Sequence, residues 1–174
     1  EYWTFGAQVS DEDLAINFGA PGDRRGPGGK MWLDFPEAGS PSVKVDVKIE
    51  PKSTEIFRHH SSRIKSGELK WVGASGLEGV EQVVIKLKSN GQYRVKLHFT
   101  EPEHVQSAQR IFDVSLQDKT VLSKLDIAQV AGGKHQVISR EFKVVVLDQT
   151  LKINLKAYDG TKPVLCGVQW VKIP

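Results

Sequence analysis

From Val43 the sequence runs Val43-Lys44-Val45-Asp46-Val47-Lys48-Ile49-Glu50, an unbroken alternation of apolar and charged side chains. An extended strand sends successive side chains to opposite faces, so this period of two puts the valines and Ile49 on a core and the charges in water. Tyr93-Arg94-Val95-Lys96-Leu97-His98-Phe99 repeats the pattern, and Leu151-Lys152-Ile153-Asn154-Leu155 does so again. Segments 83–87, 111–116, 137–146 and 164–173 also read as strands, some apolar on both faces, as strands inside a sandwich are. No segment keeps a helical period for long; residues 103–110 are compatible with a single turn.

Turn chemistry separates the strands. Ser89-Asn90-Gly91 carries the Asn-Gly signal of a tight hairpin, and Gln117-Asp118 and Asp148-Gln149 divide other strand pairs. Short strands at such intervals predict an all-β fold, an antiparallel sandwich or barrel. The 174 residues show no internal repeat and no linker, so 1–174 reads as one domain, long enough to bury a continuous core.

Composition excludes several function classes. The net charge of +3 is too small to require a polyanionic partner, so no nucleic-acid partner is expected. Cys166 is the only cysteine, which rules out an intrachain disulfide and a Cys-based zinc site. No apolar run approaches the ~20 residues a spanning helix needs, so no membrane insertion is expected. The sequence opens on Glu1 without a signal-peptide pattern, and the natural chain is expected to extend further as a larger, multidomain protein.

Two stretches depart from economical strand design. Pro21-Gly22-Asp23-Arg24-Arg25-Gly26-Pro27-Gly28-Gly29-Lys30 is a long Gly/Pro loop that carries charge, and Phe57-Arg58-His59-His60-Ser61-Ser62-Arg63 is polar and aromatic together. Loops on a rigid β scaffold are where binding residues concentrate, although a solvated insertion also explains the first stretch. His59 and His60 are poor joint metal ligands, because neighbours on a strand face opposite ways; no metal site and no cofactor is expected. Ser75, in Gly73-Ala74-Ser75-Gly76, falls one residue short of a nucleophile elbow, and no carboxylate spacing compels a glycosidase reading. No enzyme is expected.

The block Gly91 to Ile127 resembles the malectin family. It contains Tyr93-Arg94-Val95-Lys96-Leu97-His98-Phe99-Thr100-Glu101, then Gln109-Arg110-Ile111-Phe112-Asp113-Val114, then Leu125-Asp126-Ile127. In that family a strand ending Phe-Ala-Glu leads to Gln-x-Val-Phe-Asp-Val and a Leu-Asp-Ile segment. Ala15-Ile16-Asn17-Phe18-Gly19 is similar to the family's opening strand, and segments 142–146, 150–155 and 164–168 to its closing strands. Gly22-Asp23-Arg24-Arg25 with Met31-Trp32-Leu33-Asp34-Phe35-Pro36 looks like bacterial members appended to multidomain proteins.

The resemblance implies a jelly-roll-like β-sandwich and a non-catalytic carbohydrate-binding module. Its partners would be an oligosaccharide or polysaccharide and the neighbouring domains of the parent chain, in an extracellular or periplasmic setting. The sugar would be held by end loops around residues 22–34, 58–65, 101–108 and 157–162. The family's aromatic pair after Phe-Ala-Glu is replaced by Glu103 and His104. A family aspartate falls on Asp159 beside Tyr158, an N-terminal aromatic near Trp32, and a further tyrosine near Ser62 or Arg63. A sugar offers apolar C–H faces and a rim of hydroxyls. Trp32 and Tyr158 are therefore candidate rings, and Arg63, Glu103, His104 and Asp159 candidate hydrogen-bonding groups. Trp32 reads equally as a core residue beside Leu33 and Phe35, and Asp159 as a turn former before Gly160. Trp71 and Trp170, in strand contexts, read as packing. The other function class left open is a protein-interaction or structural module without sugar binding.

Overall fold

The structure, a computed structural model, describes residues 10–36, 44–104, 106–158 and 160–174. Its strands in chain order are β1 (Asp13–Asn17), β2 (Arg24–Arg25), β3 (Met31–Leu33), β4 (Val47–Glu50), β5 (Glu55–Arg58), β6 (Ser75–Glu78), β7 (Gln82–Lys86), β8 (Gly91–Thr100), β9 (Phe112–Leu116), β10 (Lys119–Leu125), β11 (Val137–Val146), β12 (Thr150–Ala157), β13 (Val164–Leu165) and β14 (Gly167–Lys172). One short helix, α1 (Ile127–Ala131), follows β10. A six-stranded sheet runs β11-β8-β14-β1-β3-β2 and a five-stranded sheet β10-β9-β12-β7-β4, with a small third sheet β13-β6-β5. All pairings are antiparallel except β1 with β3. The fold is the all-β sandwich that the alternation predicts.

Alternation decides what lies between the sheets. Tyr93, Val95, Leu97 and Phe99 of β8 face inward with Leu14 and Ile16 of β1. They meet Val83 and Ile85 of β7, Phe112 and Val114 of β9, and Leu151 and Ile153 of β12. Each such side chain contributes about 1.5–3 kcal/mol by leaving water. Strand β4 lies at a sheet edge, so Val45, Val47 and Ile49 are only half-buried while Lys44, Asp46, Lys48 and Glu50 are exposed. Val43 and residues 37–42 lie outside the described residues.

Three expectations need correction. Asn90-Gly91 does not close a hairpin: β7 pairs with β12 and β4, and β8 with β11 and β14, so the turn carries the chain from one sheet to the other. The Asn90 carboxamide oxygen accepts from the Gln149 amide at 2.7 Å, bracing this corner against the β11–β12 corner, which also crosses between sheets. Of the three turns, Gln117-Asp118 makes a true hairpin, joining β9 to β10 with φ of 51° and 64°. Segment 164–173 is two strands in different sheets, parting at Cys166. The single turn expected at 103–110 is not helical among its described residues; the α-helix is α1, capped by Asp126, whose carboxylate accepts from Gln129 N at 3.1 Å.

The outer face of the six-stranded sheet carries a second, smaller core. Ala15, Trp32, Val72 and Cys166 pack there, covered by Leu69, Trp71 and Phe57. On β8, His98 and Thr100 point to this side and are fully buried. A sheet face expected to meet water is thus roofed by segment 57–74, and the cleft described next lies at the edge of that roof.

Candidate functional site

The two stretches that break strand economy come together as the walls of one cleft. Its volume is about 520 Å³. Residues 19–24 form one wall and residues 58–61 the other, above a floor of Asn17, Trp32, Trp71 and Ser75. The wall 19–24 leaves β1 at Gly19, whose φ of +81° suits glycine and whose added Cβ would meet Ile56 Cγ2 at 2.6 Å. Arg58 ties the walls together: its Nε donates to the Gly19 carbonyl at 2.6 Å. His59 N donates to Ala74 O at 2.6 Å and fixes the second wall to the floor. With its nitrogen facing the Cys166 and Val72 carbonyls at 3.2 and 3.1 Å, the Asn17 amide joins β1 to the roof.

Trp71 is half-buried, edge-on to Trp32 with ring centroids 5.2 Å apart. The Arg24 guanidinium lies over the Trp71 ring, 4.6 Å from its centroid. The opening therefore has an aromatic floor and a polar rim of Arg24, Arg58, His59 and His60. The His60 Nδ1 accepts from Ser62 N at 3.2 Å and lies 2.7 Å from Ser62 Oγ.

Below this floor sits His98, wholly enclosed and 5.4 Å from Trp32 between ring centroids. Its Nε2 pairs with Gln169 Oε1 and its Nδ1 with Ser139 Oγ, both at 2.8 Å. Both nitrogens of the neutral ring are thereby satisfied. Burial disfavours the charged form and lowers the pKa to about 4. Cys166, equally enclosed, has its thiol pushed up to about 12 by the same loss of water.

The residues expected from the sequence do not form one site. Trp32 lies in the cleft floor but is only 1% exposed, so it supports Trp71 rather than offering an open ring; the physical reason is the loop at Gly26, which covers its indole nitrogen. Arg63 is exposed beside the second wall, its Nη1 3.4 Å from His59 Nδ1. Glu103 and His104 stand elsewhere, on a turn whose two backbone N–H groups bind the buried Glu101 carboxylate at 3.0 and 3.1 Å. Tyr158 is half-buried and its hydroxyl donates to Asp113 Oδ2 at 2.8 Å, a bond that raises its pKa. Asp159 lies outside the described residues.

The loop after Tyr158 borders a second groove of about 650 Å³, lined by Glu55, Glu78, Glu81, Thr161 and Lys162 among others. That groove has no aromatic floor, and several of its charges are engaged. Lys162 is 3.9 Å from Glu55, and Arg110 holds Glu78 at 2.9 Å and Glu101 at 2.8 Å. Arg110 Nη1 also donates to the Lys162 carbonyl, so this arginine clamps the loops together from within. Among the described residues no group of three or more His, Cys, Asp or Glu side chains is placed to hold a metal ion.

A two-sheet sandwich with a loop-walled, aromatic-floored cleft is the form of a binding module. Residues 79–167, just over half of the chain, match the family model described as "Malectin domain". The chain belongs to the malectin domain family, whose domain is a non-catalytic module. A probable LRR receptor-like serine/threonine-protein kinase of Arabidopsis thaliana is 37% identical over 73 residues, covering 38% of this chain and 7% of the relative. The crystal structure of the ANXUR2 extracellular domain from Arabidopsis thaliana superimposes with a TM-score of 0.74 at 14% identity, over 92% of this chain and 48% of that one. Bacteroides uniformis beta-glucuronidase matches with a TM-score of 0.71 at 13% identity, over 93% of this chain and 18% of that one. The last two likenesses concern the fold. The chain spans less than half of each of these proteins, so it is similar to a module of theirs. The resemblance to bacterial members finds no support in the sequence match, which is to a plant protein. No helix among the described residues is long and apolar enough to cross a membrane.

Proposed function

We propose that this domain is a carbohydrate-binding module that holds an oligosaccharide, or a segment of polysaccharide, in the cleft between residues 19–24 and 58–61. The observation that carries the reading is Trp71, a half-buried indole at the base of an open cleft rimmed by hydrogen-bonding side chains. A pyranose needs one apolar surface and several fixed polar groups around it. The extracellular domain that shares the fold, and the receptor-like kinase that shares sequence, support a role as one module of a longer chain facing the outside of the cell or the periplasm. Binding would require no catalysis and no cofactor.

The test is calorimetry of the wild type and Trp71→Ala against a broad glycan panel, with both proteins shown to be folded. The expected result is binding of some glycan that the variant weakens by about tenfold, the scale of one lost aromatic contact. Equal binding by both proteins sinks this cleft as the site. No binding across the panel favours a protein-interaction or structural module instead.

A further inference from the structure

The walls of the cleft carry cations that no carboxylate neutralises among the described residues. The ion pairs among the described residues engage Lys30, Lys96, Arg110 and other cations elsewhere, and none involves Arg24, Arg58 or Arg63. Arg58 spends its Nε on the Gly19 carbonyl, and that bond fixes the plane of the guanidinium while leaving both Nη groups for another acceptor. Arg24 has its guanidinium over the Trp71 ring, and its side chain donates no hydrogen bond among the described residues. Asp23 is the acidic residue that lines the cleft, and its Oδ1 is occupied by the Asp34 amide at 2.9 Å. Among the described residues, then, no side chain accepts from either guanidinium group in the cleft.

We propose, on the basis of the sugar-binding reading above, that the glycan this cleft takes is acidic: a hexuronic acid residue whose carboxylate is held by Arg58 and by Arg24, the guanidinium that caps the Trp71 ring. Guanidinium and carboxylate match in plane and spacing, and a charge-assisted pair is about twice as strong as a neutral hydrogen bond. A neutral hexose would leave both guanidinium groups without that partner. The small net charge and the confinement of these cations to one cleft fit a compact anionic ring better than a nucleic-acid strand, which needs a cationic track.

The experiment is calorimetry with matched oligosaccharide pairs that differ at C6: oligogalacturonate and its methyl ester, β-1,4-oligoglucuronate and cello-oligosaccharide, oligomannuronate and manno-oligosaccharide. Each is titrated into wild type, Arg58→Gln, Arg24→Gln and, as a control on the opposite sheet, Lys119→Gln, at low and high salt. Thermal melts establish that the variants are folded; Arg24→Gln breaks no hydrogen bond of the fold and keeps the test decisive if Arg58→Gln is unstable. The expected result is one acidic member bound at least about tenfold tighter than its neutral partner, weakened by salt, weakened about tenfold by either arginine variant and unchanged in the control. Equal binding of a neutral partner overturns the acidic preference and leaves the sugar-binding reading standing. Acidic binding that ignores both arginine variants overturns this placement, and binding of a single-stranded oligonucleotide as tight as that of the uronate overturns the glycan assignment. Binding by no member of any pair overturns the acidic preference, and the sugar-binding reading falls with it only when the broad panel also shows no binding.

Discussion

Acidification should destabilise this protein in a way that one enclosed residue, His98, makes measurable. The ring is neutral in the folded state, enclosed beneath Trp32 and bonded at both nitrogens, with a pKa lowered by burial to about 4. In the unfolded chain it returns to about 6.5. The unfolded state therefore binds the proton first as pH falls. The stability that depends on neutral His98 is fully present above about pH 6.5 and is lost progressively down to about pH 4. A shift of this size corresponds to roughly 3 kcal/mol in full and about 2 kcal/mol between pH 7 and 4.5. The assay is urea unfolding of the wild type and His98→Gln across that range, since glutamine keeps polar contacts to Gln169 and Ser139 without titrating. Other groups contribute equally to both proteins, so the wild type should lose about 2 kcal/mol more than the variant. Parallel pH profiles, or an NMR titration that places His98 near 6.5 in the folded protein, would refute the reasoning.

Arg110→Ala strands the Glu101 carboxylate, 1% exposed, and removes the clamp to Glu78 and the Lys162 carbonyl; chemical denaturation should show a loss of about 3–5 kcal/mol, and a loss under 1 kcal/mol would contradict the buried network. Cys166, whose thiol is pushed up to about 12, should react with a thiol reagent at pH 8 more than about a hundredfold slower in the native protein than in denaturant; equal rates would contradict its enclosure. Asp126→Ala removes the cap of α1 and the carboxylate that accepts from Ala108 N, so urea titration should show a cost of about 1–2 kcal/mol, and an unchanged midpoint would count against both bonds.

The strands were legible because alternation reports a face directly: β8 and β12 stand where the period of two puts them. Sheet membership was not. Asn90-Gly91 looks the same in sequence whether it closes a hairpin or turns a corner between sheets, and only the distant partner Gln149 decides it. Helix α1 escaped because five residues are too few to show a period. At the site, both walls were visible as stretches that depart from strand patterning, although Arg24–Arg25 forms β2 and Phe57–Arg58 ends β5. Their convergence was not visible, since it rests on the Arg58 to Gly19 bond between residues 39 apart. Trp71 read as packing because its context looked like a strand; it stands instead at the start of the 3-10 turn Val72–Ala74, where it packs on Trp32 and also lines the cleft. Glu103, His104 and Tyr158 came from family positions, and the cleft forms without them.

The most direct measurement is the map of backbone amide shifts when the wild type is titrated with a glycan that binds it. The account predicts that the perturbed amides cluster at residues 19–24, 58–61 and 71–75, with Gly19 and His59 among the most affected. Perturbations confined to residues 101–110 and 158–162, with the cleft amides unmoved, would contradict it.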